Sequence, residues 1–248
     1  MLTLKTALRS VADLALPRVC PVCGRPLLLE EDTICLHCLA DLPMTHFWEY
    51  SHNPMADAFN ARIEQIPDLK APVAGYCYAA ALLFYRDGSG YRAVPRALKY
   101  GRDFREGRYF AHLLGEKLKS SPYFTDVDFI VPVPLHWTRM WRRGYNQAGL
   151  IADEVARSLP GARTVPDILI RRKRTVSQTG LEGEGKSANV SGVFSCTRHA
   201  GELSPRHILI VDDVLTSGST SSECFRALHK QYGGGTRISV ATLSFAGK

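Results

Sequence analysis

Apolar positions recur along this chain at two spacings, and the alternation between them predicts the elements. Leu4, Leu8, Val11 and Leu14 form one stripe at helical spacing, interrupted by Lys5, Arg9 and Asp13. Residues 42–70 show no clear period, are rich in His, Asn, Pro and aromatics, and read as a connector. Residues 73–85 predict a strand, closed by the turn signal Asp87-Gly88-Ser89-Gly90. Over 94–100 and again over 105–118 the apolar residues return every three to four positions, which predicts two helices. Residues 128–135 (DFIVPVPL) predict a short buried strand that runs into a proline-stiffened loop. An amphipathic helix follows over 144–159, with Leu150, Ile151, Val155 and Leu159 on one side. Residues 171–192 are charged, glycine-containing and aperiodic, as a mobile loop would be. The β-branched run 207–211 is a strand, 219–232 a helix stopped by Gly233-Gly234-Gly235, and 237–245 a last strand. Strands alternating with helices imply an α/β fold with a parallel sheet, and such sheets bind ligands at the carboxyl ends of their strands.

Composition narrows the class without changing that picture. With 248 residues, 45% hydrophobic and 22% charged, the chain has material for one large core plus a small appendage, and intrinsic disorder is excluded. The uncharged stretch 71–85, fenced by Lys70 and Arg86, is shorter than the 18 or so apolar residues a membrane helix needs. The N-terminal stripe is too interrupted for an export signal, so the expected location is cytoplasmic, with no membrane insertion. The formal net charge of +7 is unevenly spread: residues 96–186 hold 17 Lys/Arg against 10 Asp/Glu, which accounts for all of it. A basic block in an otherwise neutral chain suits a polyanion, either nucleic acid or a small molecule with several phosphates; a solvated basic surface explains the charge equally well.

Four of seven cysteines fall in one cluster, CPVCGRPLLLEEDTICLHC, as Cys20/Cys23 and Cys35/Cys38 separated by eleven residues. Each Cys-x-x-Cys turn offers two thiolates to one ion, and the intervening run is long enough for a hairpin that brings the turns together. That is the pattern of a closed, structural Zn²⁺ ribbon. Disulfides and an iron–sulfur cluster are the other readings; the first is disfavoured in a cytoplasmic chain, and the second uses this double-knuckle spacing less often. Cys77, Cys196 and Cys224 are scattered and read as buried free thiols.

The motif with the most chemistry is ILIVDDVLTSGST, residues 208–220. An apolar strand delivers Asp212 and Asp213 to its C-terminal edge. Thr216, Ser217, Gly218, Ser219 and Thr220 then form a small, hydroxyl-rich loop that opens a helix. Small residues let the backbone approach an anion, and N–H groups at the helix start cradle phosphate. The paired carboxylates suit a sugar diol or a nearby Mg²⁺. A phosphate beside a diol is a ribose 5-phosphate. A strand ending in a capped helix would explain the hydroxyls, but not two acids in a row.

VDDVLTSGST resembles the phosphoribosyl-pyrophosphate (PRPP) signature of type I phosphoribosyltransferases. Three further segments resemble the ComF family, which includes competence-associated proteins: the four-cysteine ribbon, PVPLHWTRMWRRGYNQ (132–147), and RTVSQTGL (174–181) followed by ANVSGVF (188–194). The likeness runs from the ribbon to the last strand, with 42–72 uninformative. It implies an N-terminal helix and ribbon over 1–43, a connector over 44–72, and a phosphoribosyltransferase-like domain over 73–248.

By the same resemblance, Asp212 and Asp213 would hold the ribose hydroxyls as catalytic residues, and Thr216 to Thr220 the 5-phosphate. Pro134, His136, Arg139, Arg142 and Arg143 would face the pyrophosphate, with 144–147 beginning the next helix. Arg171, Lys173, Arg174, Gln178 and Lys186 would belong to a lid over PRPP, and Lys99 would point inward. Where the family carries an arginine shortly before Asn189, this chain has Lys186, which keeps the charge but loses the bidentate fork. The implied cofactors are structural Zn²⁺ and Mg²⁺ carried with PRPP. The implied activity is transfer of phosphoribose from PRPP to an unknown acceptor, with pyrophosphate release. A non-catalytic PRPP sensor, and a competence factor that handles single-stranded DNA with DNA-uptake proteins, are the rival functions.

Overall fold

Inner strands of a parallel sheet are apolar on both faces, and the described residues form a sheet of five strands whose short margin strand, Arg163–Thr164, alone is polar. The structure, a computed structural model, describes residues 17–67, 69, 73, 75–85, 90–92, 94–95, 104–172 and 192–247. The expected N-terminal stripe, Lys99 with most of its helix, the 87–89 turn, and Lys173, Arg174, Gln178 and Lys186 lie outside the described residues. In chain order the elements are α1 (Leu36–Ala40), α2 (Pro54–Glu64), β1 (Ala79–Phe84), α3 (Arg105–Lys119), β2 (Phe129–Pro132), α4 (Trp137–Arg143), α5 (Gln147–Ser158), β3 (Arg163–Thr164), β4 (Leu169–Arg171), β5 (Phe194–Cys196), β6 (His207–Leu215), α6 (Ser219–Tyr232) and β7 (Arg237–Phe245).

The sheet order is β1-β7-β6-β2-β3, parallel throughout, and β4 and β5 form a separate antiparallel pair. This is the expected α/β architecture. From β2 the chain moves through α5 to β3 in one direction along the sheet; from β6 it moves through α6 to β7 in the other. Right-handed crossovers running in opposite directions put α5 and α6 on opposite faces. α3 packs beside α5, and α2 beside α6, where the Phe59 and Phe225 rings meet edge-on at 6.0 Å. Leu82, Ile130, Ile210 and Val240 are fully buried between these layers. The direction of winding reverses between β6 and β2, and their carboxyl ends flank the crevice where such folds take ligands.

Three expectations are revised by packing. Residues 42–70 contain the helix α2, whose Met55, Ala56, Phe59 and Ile63 are buried. Residues 43–45 also line the outer edge of β1: Thr45 N–H donates to Leu82 O at 3.1 Å, and Phe84 N–H to Pro43 O at 2.8 Å. β1 begins at Ala79, because Tyr76 and Tyr78 turn into a surface row of rings with His52 and Tyr123. Finally, the helix expected to start at 144 starts at Gln147, and 144–146 form the turn between α4 and α5.

The four-cysteine ribbon docks on this body. Tyr91 donates its hydroxyl to Cys38 O at 2.8 Å, and Gly90 lies so close to Val22 that a Cβ there would sit 2.2 Å from Val22 O.

At the opposite end of the sheet from the crevice, His207 is sealed at the start of β6. Its Nδ1 pairs with Asp126 Oδ1 and its Nε2 with Ser239 Oγ, both at 2.9 Å. The order Ser–His–Asp resembles a hydrolase triad, but His207 and Ser239 are each 0% exposed, so no substrate reaches the hydroxyl. The cluster pins β6 to β7. Burial holds the His207 imidazole below its ordinary range; Arg237 pushes the same way, against Asp126 and Asp128. The unfolded chain takes up a proton near pH 6.5 and the folded chain resists it, so stability is full above about that pH and falls as pH falls. Thermal melting from pH 7.5 down to 5 should show this decline, and His207→Gln should flatten it. An equally steep decline in the variant would place the titration elsewhere.

Candidate functional site

β6 outruns β2. The last paired residues are Pro132 and Val211, while Asp212, Val214 and Leu215 continue to pair with β7 alone. Asp212 and Asp213 therefore lie within a longer strand than expected, at the point where its β2 side opens to the crevice. Both are half-buried, and Asp212 Oδ1 accepts the Asp213 N–H at 2.8 Å.

The loop after β6 turns through Gly218, whose φ of +72° suits only glycine without strain, into the fourteen-residue α6. No side chain caps α6, so its first N–H groups are open to an anion. Ser217 Oγ and Ser219 Oγ lie 2.8 Å apart, and Thr220 is half-buried at the first turn. Thr216 to Thr220 thus form one small cradle at the positive end of a helix dipole.

Across the crevice, β2 leads through Pro134 and His136 into α4, a helix the sequence reading treated as loop. His136 is buried and caps it, its Nδ1 accepting the Thr138 N–H at 3.3 Å and lying 2.9 Å from Thr138 Oγ1. That bond places the proton of the neutral ring on Nε2. Gly144, at φ +80°, closes α4 with its N–H on Met140 O. Asn146 caps α5 and also donates to Val133 O at 3.1 Å, tying the turn to the end of β2. The Gly-Tyr-Asn run, expected to begin the next helix, is the turn that ties α4 and α5 to the end of β2.

α4 has two faces. Helical spacing places Arg139 and Arg143 together, four residues apart, and both are half-buried. Trp137 and Trp141 share the opposite face, 71% and 87% exposed, with Met140 beside them. Arg142 is exposed between the two. Arg171 stands on β4 rather than in the loop after it, half-buried, with its guanidinium 5.4 Å from the Phe194 ring centroid. Burial first, then the positive charge of Arg139, lowers the Arg171 pKa, while Asp212 pulls it up. The field at one guanidinium thus links Arg139 on α4 to Asp212 on β6.

A cation that sequence reasoning missed comes from α2. Arg62 donates to Ser219 Oγ at 2.6 Å, across 157 positions of sequence. Nothing local marked Arg62. Its helix, however, was signalled by Asn53-Pro54, where Asn53 Oδ1 accepts the N–H groups of Met55 and Ala56.

The second site is the ribbon. The sulfurs of Cys20, Cys23, Cys35 and Cys38 all lie within 4.8 Å of one another, and Cys23 Sγ is 3.7 Å from Cys35 Sγ. A disulfide needs about 2.05 Å. The edge of a tetrahedron of thiolates around zinc is about 3.8 Å, given Zn–S near 2.3 Å. The donor set fits one ion. Hydrogen bonds hold the turns: Gly24 N–H to Cys20 O at 2.8 Å, Cys38 N–H to Cys35 Sγ at 3.4 Å. The carboxylate of buried Glu31 accepts the N–H groups of Leu28 and Leu36, both at 2.7 Å. The Arg25 N–H holds the Cys23 thiol down at about 6, so it is thiolate at neutral pH, as a metal ligand must be. Among the described residues, no helix is long and apolar enough to cross a membrane.

No family model matches the chain. Competence protein F of Haemophilus influenzae is 40% identical over 101 residues, 41% of this chain and 44% of that protein, so less than half of that relative is matched. The DNA utilization protein YhgH of Escherichia coli K12 is 29% identical over 213 residues, 85% of this chain and 83% of that one. The YhgH of Salmonella typhimurium is 28% identical over 230 residues, 87% and 92% of the two. A solved structure titled as the allosteric regulatory enzyme of purine biosynthesis aligns with 59% of this chain and 30% of its own, at 18% identity and a TM-score of 0.36. The chain is thus similar to competence protein F over two fifths of its length and to the YhgH proteins over most of it.

Proposed function

We propose that this protein binds PRPP with Mg²⁺ in the crevice between β6 and β2 and transfers its phosphoribosyl group to an acceptor, releasing pyrophosphate. The observation that carries the reading is that, at the point where the winding reverses, Asp212 and Asp213 adjoin a helix start without a side-chain cap, and the charge of Asp212 reaches Arg171 together with that of Arg139. Asp212 and Asp213 hold the ribose hydroxyls, and the 216–220 cradle takes the 5-phosphate. Arg139 and Arg143 take the pyrophosphate, with guanidinium forks matched to its oxygens. The bond from the anomeric carbon to pyrophosphate breaks, pyrophosphate leaves with the bonding pair, and the acceptor forms the new bond. Asp212 and Asp213, hard oxygen donors beside the phosphates, would help hold Mg²⁺, which when bound would supply neutralisation of the leaving group's charge. The protein itself orients the ligand and stabilises charge. The names of the relatives connect this chemistry to DNA uptake, and unpaired thiols at Cys77, Cys196 and Cys224 fit a cytoplasmic location. Calorimetry with PRPP and Mg²⁺, on the native protein and on the paired carboxylate variant, tests the binding. Pyrophosphate release with candidate acceptors separates a transferase from a sensor.

A second reading, the handling of single-stranded DNA, is favoured by the exposed face of α4. Two indoles four residues apart beside Arg142 are what stacked bases and their phosphates require.

Zinc is the proposed occupant of the ribbon. One ion matches sulfurs this close, whereas a cubane iron–sulfur cluster holds its cysteines farther apart. Metal analysis should find about one zinc per chain, lost in Cys20→Ser plus Cys23→Ser. The α/β body, with its own core, should keep a cooperative melting transition. Native protein without zinc would end the assignment.

A further inference from the structure

Arg62 is electrostatically misplaced unless an anion joins it. It is half-buried on the last turn of α2, and among the described residues its polar partner is a neutral hydroxyl, Ser219 Oγ. No carboxylate of those residues lies within ion-pair distance of it. Its neighbour is the start of the fourteen-residue α6, which carries roughly half a positive charge and has no side-chain cap. A guanidinium and a helix N-terminus repel each other, and partial burial weakens the screening that would relieve this. Serine offers only one acceptor contact to a group with five N–H donors. The Ser219 contact puts the guanidinium beside the first turn of α6, where the cradle lies.

We propose that Arg62 is a specificity-determining phosphate ligand, making the 216–220 cradle select a phosphate monoester over a diester. The inference rests on the reading of that cradle as the ribose 5-phosphate site. A monoester presents three terminal oxygens and close to two negative charges at neutral pH, with its second ionisation near pH 6. A diester presents two oxygens and one charge. The helix N–H groups and the hydroxyls serve two oxygens; the guanidinium supplies donors and charge for the third. Such a cradle accepts a free sugar phosphate and discriminates against the internal linkages of a polynucleotide.

Calorimetry on the full chain with ribose 5-phosphate, its methyl diester and inorganic pyrophosphate tests this. The native protein should favour the monoester by about tenfold or more, the gain expected of one charge-assisted contact. Arg62→Gln should lose about that factor for ribose 5-phosphate while changing diester and pyrophosphate affinities by no more than about twofold. Arg62→Lys should recover part of the loss. Native affinity for ribose 5-phosphate should also rise from pH 5.5 to 7.5 as the dianion forms, and this rise should flatten in Arg62→Gln. Unchanged ribose 5-phosphate affinity in Arg62→Gln overturns the proposal and leaves the PRPP reading standing. A parallel loss for all three ligands, with a lowered melting temperature, would make Arg62 only a brace between α2 and α6. Native protein that binds neither ribose 5-phosphate nor PRPP would remove both readings.

Discussion

Replacing Asp212 and Asp213 together by Asn is expected to weaken PRPP binding by at least about 1.5–3 kcal/mol, the range for a hydrogen bond to a charged group. In affinity that is roughly ten- to a hundred-and-fifty-fold. The substitution is chosen because Asn keeps an oxygen where Asp212 Oδ1 accepts the Asp213 N–H, so the local backbone retains its partner. What it removes is negative charge beside the ribose hydroxyls and the influence of Asp212 on Arg171. Melting temperature should change little, and the loss should appear in ligand affinity. Calorimetry that finds equal PRPP affinity in the double variant would remove these residues from the site.

The second large effect separates the two faces of α4. Arg139→Ala plus Arg143→Ala should lower PRPP affinity at least about a hundredfold, since two charge-assisted contacts are lost from a half-buried position. Trp137→Ala plus Trp141→Ala should leave PRPP affinity intact, because both indoles face away from those arginines. If the exposed face carries single-stranded DNA, the tryptophan variant should lose about 1–3 kcal/mol of binding per stacked base. Removing Arg142 as well should lower the salt slope by about one unit for its phosphate contact. An arginine variant that keeps PRPP but loses DNA would reverse the assignment and make the inner face a nucleic-acid track.

The legible parts of this molecule were those in which local pattern and tertiary burial coincide. β7 and α6 fall at their expected limits because β-branched residues and a glycine stop mark them. The four cysteines were legible because spacing alone constrains a shared ion. α4 was not, because none of its residues, WTRMWRR, is buried, so no apolar period existed to read. Prolines before it suggested a loop instead. The length of β6 was misjudged because Asp212 and Asp213 end the apolar run, yet β7 continues to pair beyond them. Arg62 shows the remaining gap: its role depends on a contact that only the folded chain creates.

The margins of the sheet carry a consequence for how copies of this protein can meet. An open strand edge is a template on which further chains add. Here residues 43–45 occupy the free side of β1 in antiparallel fashion, and the other margin, β3, is only two residues long. Arg163 on β3 lies over the Phe129 ring, keeping a charge at that margin. Neither side offers a run of unpaired amides for strand-by-strand growth. Self-association through the margins of this sheet is thereby discouraged, and exposure of the β1 edge by loss of 43–45 would turn it into an aggregation seed.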